Sequence, residues 1–123
     1  MATITEDYVS FETAKLLKEK GFDELSTVFY NSEGNDEITL FDYEPLRNSD
    51  IDGYAKVTHQ MAMKWLREAC GLIISIEFQA ICSTWKWRIY IKSSNKKHTD
   101  FQHYNKYEEA CEAAIEYCLI NLV

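Results

Sequence analysis

Hydrophobic and polar residues alternate along two neighbouring stretches in the second half of the chain. Every second residue from 72 to 78 is Leu, Ile or Phe, and every second residue from 85 to 91 is Trp or Ile. Because successive side chains of a β-strand point to opposite faces, the pattern predicts two half-buried strands. A turn at residues 81–84 would join them into a hairpin with one apolar face.

The register of this hairpin follows from matching the apolar faces of the two strands. Pairing Ala80 with Trp85 brings apolar residues opposite one another and also opposes two unlike charges. The opposed pairs are Phe78 with Trp87, Ile76 with Ile89, Ile74 with Ile91, and Glu77 with Arg88. A third strand is predicted at residues 98–104, with Thr99, Phe101 and His103 continuing the buried face.

Three segments repeat apolar residues at helical spacing, and each begins with a residue whose side chain can cap a helix. Ser10 begins the first, Thr58 the second and Asn105 the third, where Glu108 has the spacing of a capping box. The predicted core of the second half is Trp65, Leu66, Ile74, Ile76, Phe78, Trp87, Ile89, Phe101, Ala114 and Cys118. Met61 and Ala69 are also expected to face it.

The first half contains two short, aromatic and β-branched stretches at residues 27–30 and 38–43. Turn-forming residues separate them, so they predict a second hairpin. The elements then run α-β-β-α-β-β-β-α, which predicts an α+β fold with helices packed on one face of an antiparallel sheet.

A length of 123 residues is typical of one domain. Within it, subunits 9–43 and 57–123 would be joined by the polar loop 44–56, which we expect to be mobile. Similar helix starts suggest an internal α-β-β duplication relating residues 9–43 to residues 57–92, with chance similarity between short helices as the alternative.

The net charge of −7 is distributed unevenly. Residues 1–57 carry 13 acidic and 5 basic side chains, whereas residues 58–123 carry 7 acidic and 8 basic ones. An acidic balance favours solubility and disfavours general binding to phosphate backbones. No apolar run is long enough to span a membrane, no signal peptide is recognisable, and the four cysteines lack a paired spacing. We therefore expect a cytoplasmic protein with free thiols and no membrane contact.

One strand face combines positive charge with an aromatic ring, since Lys86, Arg88, Tyr90 and Lys92 alternate with the apolar residues of the second strand. This face could meet an acidic protein or a single-stranded nucleic acid. The order helix, three strands, helix resembles double-stranded-RNA-binding domains. Those domains begin their last helix with basic residues, whereas this chain has acidic ones, so we favour a protein partner. The acidic turn at Glu33, Asp36 and Glu37 is the alternative surface.

Catalytic patterns are absent from the sequence. His59, His98 and His103 lack the spacing of metal ligands, and no phosphate-binding glycine loop or nucleophile motif occurs. Cys111 and Cys118 lie two turns apart on one predicted helix, too far apart to share a metal ion. We expect no enzyme, no catalytic residue, no metal and no cofactor. A deep pocket that brings His59, His98 or His103 near a cysteine or a carboxylate would argue otherwise.

Three helical segments, residues 8–23, 63–68 and 107–119, carry a resemblance to a known family. They resemble short uncharacterised proteins of phages, prophages and mobile elements of gut anaerobic bacteria, which carry "ETAKLLKEKGF", "WLRE" and "YEEAxEAAxxxxL" helices. The family has no established activity, so the resemblance implies a genomic context and no residue roles. We expect a non-enzymatic protein-interaction or regulatory module, with a nucleic-acid-binding regulator as the alternative. The sequence does not indicate the partner or the oligomeric state.

Overall fold

A computed structural model describes residues 7–34, 37–39, 44–99 and 102–123. The chain forms two compact units, Met1–Thr58 and His59–Val123. The elements in chain order are helix α1 (Phe11–Glu19), strands β1 (Val28–Tyr30) and β2 (Glu37–Thr39), a 3-10 turn (Asn48–Asp50), strand β3 (Tyr54–Ala55), helix α2 (His59–Cys70), strands β4 (Leu72–Gln79), β5 (Thr84–Ile91) and β6 (Lys96–Thr99), and helix α3 (Tyr107–Asn121). The α+β class and the order α-β-β-α-β-β-β-α are confirmed, with the short strand β3 added.

Helix α1 begins and ends as its sequence predicts. The Ser10 hydroxyl accepts a hydrogen bond from the Thr13 N–H, which satisfies one of the free donors of the first turn. After the helix, Gly21 adopts a φ of 100°, a conformation that favours glycine, and the Phe22 N–H then bonds to the Leu17 carbonyl. The side chains of Leu17 and Phe22 are both buried as a result.

The first unit contains a three-stranded antiparallel sheet in the order β2-β1-β3. Phe29, at the centre of β1, lies opposite Ile38 of β2 and Ala55 of β3, and it is fully buried. Strand β3 falls inside the segment 44–56 that the sequence predicted as a mobile linker. That segment is instead an ordered part of the first unit.

Two side chains hold this segment in place. Buried Asn48 donates through Nδ2 to the Phe22 carbonyl at 2.8 Å and accepts from the Ala55 N–H at 2.8 Å. The Lys18 ammonium donates to the carbonyls of Ile51 and Gly53 at 2.7 and 3.0 Å. Buried backbone groups are therefore satisfied without regular secondary structure.

The second unit contains a three-stranded antiparallel sheet in the order β4-β5-β6. The predicted faces of β4 and β5 are correct, but the predicted register is wrong by two residues. Ile74 lies opposite Ile89, and Ile76 opposite Trp87. A slip of two residues leaves every side chain on its own face, so the hydrophobic pattern cannot exclude it. The turn decides the register, because it spans residues 80–83 with Ser83 at a φ of 53°.

Strand β6 begins and ends earlier than predicted, and its faces are reversed. His98 lies opposite Ile89 and contacts the Tyr117 ring of α3, whereas Thr99 lies opposite Arg88. His103 lies outside the strand and is exposed, and Phe101 is outside the described residues.

Helices α2 and α3 pack against each other and against β4 and β5. Leu66, Trp87, Ile89, Ala114 and Cys118 are buried as predicted. The remaining core predictions are less accurate: Trp65, Ile74 and Ile76 are half-buried, and Met61, Ala69 and Phe78 are exposed. Phe78 is the last residue but one of β4, and its ring lies tilted against Trp85 with 51% of the residue in solvent.

The predicted duplication of residues 9–43 and 57–92 stays a prediction, because the strand orders of the two units differ only in β3 and β6, which lie outside both ranges. Both units contain a helix followed by an antiparallel hairpin. In the first unit the third strand pairs with the first strand of the hairpin, β1, whereas in the second unit it pairs with the second strand, β5. Helix α1 packs on β3, while α2 packs on β4.

Candidate functional site

The four predicted binding residues lie on or next to the central strand of the second sheet. Lys86, Arg88 and Tyr90 share the face of β5 opposite to buried Trp87 and Ile89. Lys92 follows the strand, where its N–H bonds to the Gly71 carbonyl at 3.0 Å. Neighbouring strands add Glu77, opposite Lys86, and Lys97, opposite Tyr90. We call Lys86, Arg88, Tyr90, Lys92 and Lys97 the basic face.

The two ends of the basic face differ in exposure. Tyr90 is 38% exposed, and Lys92 and Lys97 are also exposed, whereas Lys86 and Arg88 are half-buried. The exposed end therefore presents an aromatic ring with two ammonium groups nearby.

Arg88 is engaged by its neighbours on the sheet. Its Nη2 lies 3.5 Å from Glu77 Oε2, and among the described residues no acceptor reaches its buried Nε. A hydrogen bond to the Tyr90 side chain, and then the Glu77 carboxylate, raise the pKa of Arg88 above its ordinary value. The guanidinium thus stays charged, but its charge is partly neutralised within the sheet.

His59 lies in a second polar arrangement, between helices α2 and α3. Its Nε2 is 2.9 Å from Glu112 Oε1, and the residue is only 6% exposed. Glu112 also borders a shallow groove along α3, lined by Tyr104, Glu108, Glu109, Glu112, Ala113 and Glu116. His59 is the first residue of α2, and this contact holds its ring against α3.

A third arrangement, which sequence reasoning missed, lies at the turn between β4 and β5. The Thr84 hydroxyl is 2.9 Å from Cys82 Sγ and 2.7 Å from His103 Nδ1, and Sγ lies 3.7 Å from the same nitrogen. Cys82 and His103 are exposed, and Thr84 is half-buried. We call them the Cys82 cluster.

Backbone pairing brings His103 to this turn. The N–H and carbonyl of Tyr104 exchange hydrogen bonds with those of Trp85 at 2.7 and 2.8 Å, which sets the preceding residue beside Thr84. The sequence signal was the predicted extension of the third strand through His103. The sequence analysis assigned the third strand no register against the second, so it could not place His103 beside Thr84.

The remaining cysteines are less accessible. Cys111 and Cys118 are fully buried and Cys70 is partly exposed, and all four cysteines are free. Burial, with a smaller effect of the neighbouring Cys70, raises the pKa of Cys118 to about 12. Its thiol is therefore protonated and unreactive at neutral pH.

The described parts of the chain were also searched for a metal site and for a membrane-spanning helix. Residues 7–34, 37–39, 44–99 and 102–123 include no group of three or more His, Cys, Asp or Glu side chains placed to hold a metal ion. Among the same residues, no helix has the length and apolar character needed to cross a bilayer. Of the acidic turn, Glu33 is exposed, while Asp36 and the Glu37 side chain lie outside the described residues.

Comparisons with protein-family models, curated proteins and solved structures found no match to the chain.

Proposed function

We propose that this protein is a non-enzymatic interaction module of a phage or mobile element that binds an acidic protein through the basic face. The observation that carries the proposal is the exposed end of that face, where Tyr90 lies directly opposite Lys97. Tyrosine is enriched in interface cores because a large, rigid ring loses little entropy on binding. The free thiols of the chain support a reducing, cytoplasmic setting for this function.

An acidic protein fits this face better than a nucleic acid does. Glu77 lies on the same face, 3.5 Å from Arg88, and would oppose a continuous row of phosphates. The net charge of −7 repels any anionic partner at long range, and it repels the dense charge of a nucleic acid more strongly than the fewer carboxylates of an acidic protein. A protein can instead place one or two carboxylates at Lys92 and Lys97 and leave Glu77 uncontacted.

Single-stranded nucleic acid is the alternative, and the Tyr90 ring favours it over a duplex. Bases stack on exposed aromatic rings, and lysines beside the ring can contact phosphates. Such binding would weaken steeply as salt increases, because phosphate contacts release counterions.

A charge-reversal experiment tests the proposal. The test variant changes Lys92→Glu and Lys97→Glu, and the matched control changes Lys15→Glu and Lys64→Glu, which are also exposed lysines. Both variants alter the net charge equally, so only the location of the charge differs. Each bait is used to recover partners from a bacterial host lysate, and the affinity of a recovered protein is then measured by titration.

We expect the test variant to bind the partner at least about tenfold more weakly, while the control binds like wild type. Equal recovery by all three baits would contradict the proposal. Titration of a labelled single-stranded oligonucleotide at two salt concentrations examines the alternative. Oligonucleotide binding that is lost at higher salt and in the test variant would replace the acidic protein with a nucleic acid.

A further inference from the structure

The Cys82 cluster has the chemistry of a nucleophile with a proton acceptor. A free cysteine is only a few per cent thiolate near neutral pH, and the thiolate is the reactive form. A histidine held within reach of the thiol proton can increase that fraction. Here the connection runs through the Thr84 hydroxyl, which bonds both to Cys82 Sγ and to His103 Nδ1.

The three side chains can keep their hydrogen bonds both before and after a proton moves from Cys82 to His103, and no heavy atom has to move. Before transfer, the Cys82 thiol donates to Thr84 Oγ1, and the hydroxyl donates to the unprotonated Nδ1 of His103. After transfer, protonated Nδ1 donates to Oγ1, and the hydroxyl donates to the thiolate. A hydroxyl supplies one donor and two acceptor sites, so neither state leaves Thr84 unsatisfied.

We propose that Cys82 is a reactive thiol that exchanges with low-molecular-weight disulfides, with His103 accepting its proton through the Thr84 hydroxyl. The site would take small disulfides, because Cys82 and its neighbours Ile81 and Ser83 in the turn are exposed. This proposal is independent of the basic face, since it concerns covalent modification of the chain and no bound partner.

The exchange balances without a further reactant. The Cys82 thiolate attacks one sulfur of the disulfide, a new S–S bond forms, and the original S–S bond breaks with its electron pair on the leaving sulfur. That leaving thiolate takes the proton held by His103. One thiol and one disulfide give one mixed disulfide and one thiol.

The Cys82 thiol has a second possible hydrogen-bond acceptor, the Gln79 carbonyl oxygen. Cys82 Sγ also lies 3.8 Å from the Gln79 carbonyl oxygen, which can accept the thiol proton but cannot carry it away. The contact to Thr84 is shorter by about an ångström. We therefore expect the thiol to point toward Thr84, from which the proton can move on to His103.

The test measures the rate of thiol exchange with dithiodipyridine, an uncharged aromatic disulfide whose released thiopyridone is followed by absorbance. Cys82→Ser identifies the kinetic phase that belongs to Cys82. His103→Gln removes the proton acceptor, and Thr84→Val removes the hydroxyl while keeping a β-branched side chain. Thr84→Ser restores the hydroxyl, and His98→Gln is the matched loss of a histidine elsewhere in the same unit.

Near pH 7 we expect His103→Gln and Thr84→Val to react about threefold more slowly than wild type. The expected loss is modest because the rate of thiol exchange depends only weakly on the basicity of the attacking thiol. Thr84→Ser and His98→Gln should react like wild type. At about pH 10, where an ordinary cysteine is ionised, all variants that retain Cys82 should react at similar rates.

Two results would overturn the proposal. The first is an unchanged rate near pH 7 in both His103→Gln and Thr84→Val, with circular dichroism showing that the variants are folded. The second is a loss of rate that persists unchanged at about pH 10, which would mean that the substitutions alter access to the sulfur atom and not its ionisation.

Discussion

Replacement of Asn48 by alanine should destabilise the first unit more than any change at an exposed position nearby. Asn48 is 2% exposed, and its amide makes two hydrogen bonds of 2.8 Å, to the Phe22 carbonyl and from the Ala55 N–H. The substitution removes both partners at once. Each buried group that loses its partner costs about 1–3 kcal/mol, so we expect a loss of about 2–6 kcal/mol in the free energy of unfolding.

The loss should be visible at one backbone position. The Ala55 N–H is the donor to Asn48, and Ala55 pairs with Phe29 in the sheet. Hydrogen exchange of this amide should become faster in Asn48→Ala, together with a lower urea midpoint measured by far-ultraviolet circular dichroism. Tryptophan fluorescence is a poor probe here, because all three tryptophans lie in the second unit.

Two further variants make the test specific. Asn48→Asp keeps an oxygen for the Ala55 N–H but replaces the donor to Phe22 with a buried carboxylate, so it should be at least as destabilising as alanine. Ser49→Ala, at the exposed neighbouring position, should cost less than about 1 kcal/mol. A free energy of unfolding for Asn48→Ala within about 0.5 kcal/mol of wild type, with Ala55 still protected, would refute the reasoning.

Three other outcomes follow from the described contacts. Gly53→Ala should disrupt the pairing of β1 with β3, because an added Cβ would lie 2.1 Å from a β1 carbonyl oxygen; a loss of amide protection in β3 is the measurement. Ile89→Ala should cost about 2–5 kcal/mol and Ile76→Ala clearly less, since Ile89 is fully buried and Ile76 half-buried; urea unfolding that ranks them equally would contradict this. A hydrogen bond from the Ser49 N–H lowers the pKa of Asp23 in the folded protein. The ionised carboxylate therefore stabilises the fold at a pH above its ordinary pKa. This contribution disappears as the pH falls through the lowered pKa. The stability difference between wild type and Asp23→Asn should accordingly shrink as the pH falls below the ordinary aspartate pKa of about 3.9.

The faces of the second sheet were predictable, whereas its register was not. Alternation from Leu72 onward assigns each side chain of β4 and β5 to the helix-packed or the opposite face, and the structure agrees. The register depends on where the chain turns. Here Ser83 adopts a left-handed conformation that its residue type does not signal.

The ordered segment before α2 was the largest difference between expectation and structure. A proline, turn formers and charges are typical of a loop, and residues 44–56 contain all of them. What holds the segment is contact with distant groups, such as the bonds from Asn48 to Phe22 and from Lys18 to Ile51. No local pattern encodes partners that lie more than twenty residues away.

The two candidate sites also differ in how far the sequence could predict them. The basic face was predictable because strand alternation alone places Lys86, Arg88 and Tyr90 together. The Cys82 cluster was not, because it joins Thr84 to His103 through a backbone bridge at Tyr104.

The sequence by itself determined the helices, the faces of β4 and β5, the charge asymmetry and the α+β class, since each depends on residues that are neighbours along the chain. Tertiary structure alone decided the register of the second hairpin, the pairing of β3 with β1 and the meeting of Cys82 with His103. These features depend on which of several locally equivalent arrangements satisfies the most buried groups at once. That choice is a property of the whole packed unit.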